Sequence, residues 1–265
     1  MSERFSRRDF LRLMVGAGAM VSFAPALRLK ADAPTSIEMD TPPTLMLHTR
    51  DRWKLDQLVR LLNEEGYTSI NYAMLLSAIE GKSKLPARPV ILSIDDLGAS
   101  YIQPYFLDMA DVIEGAGHRG VFGVVVNEAA NHTPKNWARL RELSDRGWEM
   151  DSHTCTHRSL PRITTQPEMD FEIIDSVKRL EDGIGKRPVA LLAPYGNVYS
   201  HHRLRVFDER LFETTSRAGV SFIVGIVEGR KINSEAKPPY YTGRIGPGDD
   251  HLSAMENLKN FQSLG

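Results

Sequence analysis

Two adjacent carboxylates, Asp95 and Asp96, close the short apolar run Val90–Ile94, and two histidines, His153 and His157, stand four residues apart in His-Thr-Cys-Thr-His. Neighbouring residues on an extended chain point to opposite sides. At a strand end, one carboxylate of such a pair can hold a cation while the other acts as a base. The bland alternative is a turn or capping pair, since Asp is common where strands end. The histidine spacing stacks both rings on one face if the segment is helical, and in a loop the rings can still converge. Two imidazoles and one carboxylate make a facial set of three ligands with open positions, as in hydrolytic zinc sites. A metal held there lowers the pKa of water to about 7 and polarises a carbonyl. A nearby carboxylate then takes the water's proton, and a histidine protonates the leaving amine. Cys155, between the histidines, is a possible fourth ligand or nucleophile. The simpler reading is a small residue packed beneath the loop, because nothing near it in sequence supplies an activating base.

The elements that must position these groups alternate. Apolar runs read as strands at residues 44–48, 67–72, 90–96, 120–126, 148–151, 189–193 and 221–226. Segments at helical spacing lie between them at residues 52–66, 74–79, 101–117, 134–146, 167–184 and 202–218. Strands alternating with helices predict a parallel sheet with crossover connections. About seven such units without a domain-breaking linker predict a single α/β domain, a distorted (β/α) barrel rather than an open sheet. In such a barrel all strand C-termini gather on one face, where active sites are built. His48, Asp95-Asp96, the histidine motif and Pro194-Tyr195-Gly196 each follow a predicted strand, so they are expected to meet in one pocket. No Gly-rich loop follows the first strand, which removes a dinucleotide or P-loop reading. Residues 34–43 read as a linker, and residues 228–265 as Pro/Gly-rich chain ending in a short helix.

A chain 42% apolar and 25% charged is ordinary for a globular protein. A net charge of −1 gives no electrostatic footprint for nucleic acid. The N-terminus carries Ser6-Arg7-Arg8-Asp9-Phe10-Leu11 before the Gly/Ala-rich apolar run Leu13–Ala26. This is the pattern of a twin-arginine export signal, too short and Gly-rich for a comfortable spanning helix. Residues 1–33 are therefore expected to be signal and linker, recognised by the twin-arginine machinery, and residues 34–265 the functional domain. Residues 1–33 carry six Lys/Arg against three Asp/Glu, so their removal takes the net charge from −1 to −4. The mature protein is expected in the periplasm or outside the cell, without a stable membrane span.

Ser-Ile-Asp-Asp (93–96), His-Thr-x-x-His (153–157) and Ala-Pro-Tyr-Gly (193–196), in this order, resemble the NodB-type polysaccharide deacetylases of carbohydrate esterase family 4. The resemblance spans about residues 44–250 and is nearest to the permuted branch of poly-N-acetylglucosamine deacetylases. Gly66-Tyr67, the run Pro89–Asp96 and Gly147-Trp148-Glu149 also fit that branch. The resemblance implies a distorted (β/α) barrel and a divalent metal, zinc first, with nickel, cobalt or iron as alternatives. It also implies hydrolytic removal of acetyl groups from an N-acetylated polysaccharide or oligosaccharide. Carried over, Asp95 is the general base, and Asp96, His153 and His157 are the metal ligands. The backbone N–H of Tyr195 helps hold the oxyanion. The usual C-terminal Leu-x-His acid is missing, and His251 lacks a preceding strand. His48, in Met46-Leu47-His48, fits the slot from which the permuted branch supplies the acid.

Three positions depart from or extend the family pattern. Leu97 stands where a glycine usually lets the chain turn, and Leu192 where an arginine usually braces the base aspartate. Arg244, in Gly243-Arg244-Ile245, matches an Arg-Ile of the permuted branch and is expected to close an ion pair near the base. Two other readings stay open at this level. Leu97 favours a catalytically impaired glycan-binding relative, and some NodB-type proteins are amidohydrolases on small C–N substrates. His118, His132, His201 and His202 read as solvated, and Tyr240, Tyr241 and Trp137 as packing or sugar-stacking residues.

Overall fold

The computed structural model describes residues 38–98, 102–126, 134–201, 206–226, 231–233 and 237–245. The expected export signal, the C-terminal helix, His132, His202 and His251 lie outside them. The strands are β1 (Glu38–Asp40), β2 (Thr44–Leu47), β3 (Thr68–Ile70), β4 (Pro89–Gly98), β5 (Val121–Val125) and β6 (Glu149–Ser152). They continue with β7 (Ala190–Leu192), β8 (Tyr199–His201), β9 (Val206–Phe207), β10 (Phe222–Gly225), β11 (Lys231–Asn233) and β12 (Tyr240–Gly243).

Seven of these strands run side by side in the order β12-β10-β7-β6-β5-β4-β2, every pair parallel. β3 adds to the start of β4. The ring then joins itself just past β12: Leu45 bridges Ile245, whose N–H donates to the Thr44 carbonyl at 2.9 Å and whose carbonyl accepts from Met46 N at 3.1 Å. The result is the nearly closed, distorted (β/α) barrel expected from the alternation of elements. Helices Leu55–Glu64, Tyr72–Ile79, Pro104–Gly115, Pro134–Asp145, Ser176–Ile184 and Glu209–Arg217 supply the crossovers.

Alternation along β4 shows how the barrel is filled. Val90, Leu92 and Ile94 join an outer core with Leu58, Leu62, Phe106 and Met109, while Ile91 joins an inner core with Val121, Leu192, Phe222 and Val224. Ser93 and Asp95 share the inward side of Ile91, so the inner column of β4 turns from apolar to polar as it rises. On β6 and the loop after it the same column, Glu149, Asp151 and His153, is polar from end to end. Burial raises the Glu149 carboxyl well above the usual range, and the neighbouring Asp151 raises it further. Glu149 accepts from the N–H groups of Tyr72 and Ala73, anchoring a helix start, and Asp151 accepts from those of Val189 and Ala190.

Several local expectations change. The helix expected from residue 202 starts at Glu209, where Asp208 caps it by accepting from Arg210 N at 3.1 Å. Before it, β8 and β9 pair as a small antiparallel ribbon. The linker at 34–43 includes β1, which pairs antiparallel with β11. The long helix expected over 167–184 is interrupted by a π turn, Phe171–Asp175. His118 is buried rather than solvated. Trp137 packs against the outer core, and the ring of Tyr241 meets Phe207 edge-on at 4.4 Å, both being packing residues.

Candidate active site

The carboxylate pair does not sit as simple alternation predicts. Between β4 and β5 the register passes from Ile94–Phe122 directly to Leu97–Val124, so Asp95 and Asp96 together oppose one residue, Gly123. This is a β-bulge. Asp96 absorbs the extra residue with φ 66°. Both carboxylates therefore face the same pocket instead of opposite sides: Asp95 Oδ2 lies 3.7 Å and Asp96 Oδ1 3.4 Å from His153 Nε2. Leu97 resumes the outward phase and is fully buried in the outer core. Its backbone is not left-handed, so a leucine here costs the turn nothing; the positive φ falls on Asp96.

His157 Nε2 lies 3.2 Å from Asp96 Oδ1 and 3.1 Å from His153 Nε2. Three atoms with mutual separations of 3.1, 3.2 and 3.4 Å fall on a circle of radius about 1.9 Å, close to the 2.0–2.2 Å of zinc–nitrogen and zinc–oxygen bonds. His153 Nδ1 pairs with the Leu192 carbonyl at 2.7 Å. That partner fixes the tautomer and leaves Nε2 with its lone pair for a metal. Burial opposes ionisation of Asp96, but the neighbouring His153 and His157 rings overcome it and hold the carboxyl well below its usual range. Asp96, His153 and His157 are the one such His/Cys/Asp/Glu group among the described residues. Their donor set and spacing fit a divalent cation.

Asp95 is almost wholly buried, a setting that raises a carboxyl, yet it is held below its usual range, chiefly by Arg244. Arg244 Nη1 lies 2.6 Å from each Asp95 oxygen and 3.1 Å from Ser93 Oγ, which itself donates to Asp95 Oδ1 at 3.1 Å. The cation expected at position 192 thus arrives from the end of β12, and Leu192 fills the inner core instead. Gly123 leaves room for this pair, since a Cβ there would stand 3.3 Å from Asp95 Oδ1 and 3.5 Å from His153 Cβ.

His48 ends β2 and brings Nε2 to 3.8 Å from Asp96 Oδ2, on the oxygen not facing the two histidines. Its backbone N–H is fixed by Asp51 at 2.7 Å. Tyr195, in the turn Pro194–Gly196, sets its largely exposed ring 4.8 Å from that of His157 and tilted by 60° to it. The four left-handed non-glycine residues among those described are Asp96, Thr154, His157 and Tyr195, all in this cluster. Such conformations cost about 1–3 kcal/mol each and gather where function needs a fixed geometry. Cys155 is fully buried, and burial pushes its thiol up to about 12, in keeping with a small residue packed beneath the loop. All six residues singled out in the sequence therefore meet on one face of the barrel.

The family model for polysaccharide deacetylase matches residues 82–220. The chain belongs to that family. Its membership supports removal of acetyl groups from a polysaccharide by a hydrolase. No curated protein matches in sequence. Among solved structures, the Streptococcus pyogenes deacetylase PplD, in complex with acetate, superposes with a TM-score of 0.64 at 17% identity, over 84% of this chain and 99% of that one. A de-N-acetylase from Aggregatibacter actinomycetemcomitans gives 0.62 at 18% identity, over 82% and 98% of the two chains. IcaB from Ammonifex degensii gives 0.61 at 14%, over 83% and 97%. At these identities the likeness is one of fold. No helix among the described residues is long and apolar enough to cross a membrane.

Sequence reasoning missed Ser93, Gly123 and Glu172. Only Glu172 left a signal, as a carboxylate beside the apolar stripe Met169, Ile173 and Val177.

Proposed function

We propose that this family member is an exported, metal-dependent hydrolase that cleaves the amide C–N bond of N-acetylated sugars in a polysaccharide. The observation that carries the reading is the convergence of Asp96, His153 and His157 Nε2/Oδ1 atoms beside a buried, Arg-braced Asp95. When bound, a divalent cation, zinc first and nickel, cobalt or iron in its place, acidifies water and polarises the acetyl carbonyl. Asp95, kept ionised by Arg244, accepts the proton of the attacking water. His48, on the opposite oxygen of Asp96, gives a proton to the departing amine. The Tyr195 N–H donates to the carbonyl oxygen as charge develops on it. Ser6–Ala26 supports export through the twin-arginine machinery to the periplasm or beyond, as the signal at residues 1–33 ahead of a domain at 34–265. The burial of Leu97 in the outer core, with the left-handed position on Asp96, supports an active site over a catalytically impaired relative.

Acetate release from acetylated chito-oligosaccharides by the zinc-loaded protein tests this reading. Asp95→Asn and His153→Ala are each expected to lower the rate by about 10²–10⁴-fold. Undiminished release in either variant refutes it.

A further inference from the structure

The loop that presents His153 and His157 holds two left-handed residues, Thr154 at φ 71° and His157 at φ 58°. L-residues avoid this conformation, so the loop must be held there by its surroundings. The structure assigns that task to the π turn Phe171–Asp175: we infer that Glu172 is a positioning residue whose clamp on the loop sets its affinity for a divalent metal. This inference rests on the metal-site reading above.

Glu172 is a carboxylate only 1% exposed. Burying a charge is costly unless hydrogen bonds replace its water, and here they all come from the loop. Oε2 accepts from Thr156 N at 2.8 Å, Oε1 accepts from Thr156 Oγ1, and the Glu172 backbone carbonyl accepts from Cys155 N at 3.2 Å. One turn on, Ser176 holds the other end of the loop. Thr154 N donates to Ser152 Oγ at 3.2 Å, Ser152 Oγ pairs with Ser176 Oγ at 2.6 Å, and Ser176 Oγ donates to the Ile173 carbonyl at 2.8 Å. Inside the loop, His157 N donates to Thr154 Oγ1 at 3.0 Å. The wider π turn, a form frequent at functional sites, lets Glu172 and Ser176 face the loop while Met169, Ile173 and Val177 stay in the core.

Outer-shell partners of metal ligands are typically worth 10–100-fold in affinity. Zinc affinity of the full chain, measured by competition with a chromophoric chelator, reads the effect directly. Glu172→Ala is expected to weaken zinc binding by about 10- to 100-fold and to speed hydrogen exchange at the Thr156 amide. Glu172→Gln is expected to stay close to the parent, because its carbonyl can accept from Thr156 N while its amide donates to Thr156 Oγ1. Thr156→Val, a change to an exposed side chain, should give a smaller loss in the same direction. It carries the test if Glu172→Ala does not fold, and an unchanged affinity in that variant then overturns the inference. Parental affinity in a folded Glu172→Ala variant, alongside lost affinity in His153→Ala, overturns the clamp and leaves the metal site standing. Parental affinity in His153→Ala overturns the metal site itself.

Discussion

Replacing Arg244 with methionine separates the brace from the proposed base that it holds. Both partners are buried, with Arg244 0% and Asp95 2% exposed at the side chain. Methionine keeps much of the volume but removes the guanidinium that lies 2.6 Å from each carboxylate oxygen, leaving Ser93 as a hydrogen-bond donor. Removing one member of a buried pair costs roughly 3–5 kcal/mol. The pH dependence fixes the cause. In the parent, Asp95 is held below its usual range. Its stabilising contribution is therefore present above the unfolded-state pKa of about 3.9 and is lost only as pH falls through the lower folded value. In Arg244→Met, burial loses its chief opponent, with only His153, His48 and Ser93 left against it, and the carboxyl rises. The penalty then grows as pH rises through the raised value and fades in acid. The stability gap between parent and variant should be widest near neutrality and should narrow towards pH 4. A carboxyl that holds its proton more readily is a less available base, so acetate release should fall, by as much as the 10²–10⁴-fold typical of a general base. Asp95→Asn combined with Arg244→Met should recover most of the stability and none of the activity. Urea unfolding followed by circular dichroism from pH 5 to 8, beside the acetate assay, reads both effects. An unchanged midpoint, or a gap that does not vary with pH, refutes the reasoning.

Leu97→Gly introduces the glycine that the family resemblance implies for this position, but here it empties a fully buried core site. It should cost about 3–6 kcal/mol in urea unfolding without faster acetate release per folded molecule; a stable, faster variant would show that position 97 governs the turn after all. His118 is buried, and burial lowers its imidazole pKa. Since unfolding lets it take up a proton, the parent should lose stability relative to His118→Leu as pH falls below about 6.5. Melting temperatures between pH 5 and 8 measure this, and a difference that stays constant across the range sinks the assignment.

The barrel was legible because its signal is repetitive: six of the seven ring strands stand out as apolar runs between amphipathic helices, whereas β12 lies in the stretch expected to be Pro/Gly-rich chain, and the expected strand at 67–72 is β3, which only adds to the start of β4. The six site residues were legible because each lies in or just after a strand of that repeat. What stayed hidden depends on partners distant in sequence. The bulge at Asp95-Asp96 exists only relative to β5, and nothing in Ser-Ile-Asp-Asp-Leu announces that two residues will face one. Leu97 looked like a defect for the same reason, because the left-handed position could not be placed one residue earlier. Arg244 braces Asp95 across 149 residues of chain, a pair expected from the resemblance to the permuted branch and not from spacing, because only the ring makes the two near. The pairing of β1 with β11 and the ribbon of β8 and β9 likewise rest on short strands whose partners supply their hydrogen bonds. In the helix after the metal loop, the apolar stripe hid the π turn, since one extra residue leaves the spacing of core positions nearly intact.

The join between β2 and Ile245 gives the barrel a seam. Elsewhere neighbouring strands share ladders of paired residues, apart from the single pair Ser152–Leu191 between β6 and β7, but here, among the described residues, one bridge, Leu45 to Ile245, and two backbone hydrogen bonds hold the ring shut. His48 stands on one side of that seam and Arg244 on the other. Local opening needs less free energy than global unfolding wherever few interactions must break. Gentle denaturation would therefore part the proposed acid from the brace of the proposed base while most of the sheet still stands, and catalysis would fail at the clasp before the fold fails at its core.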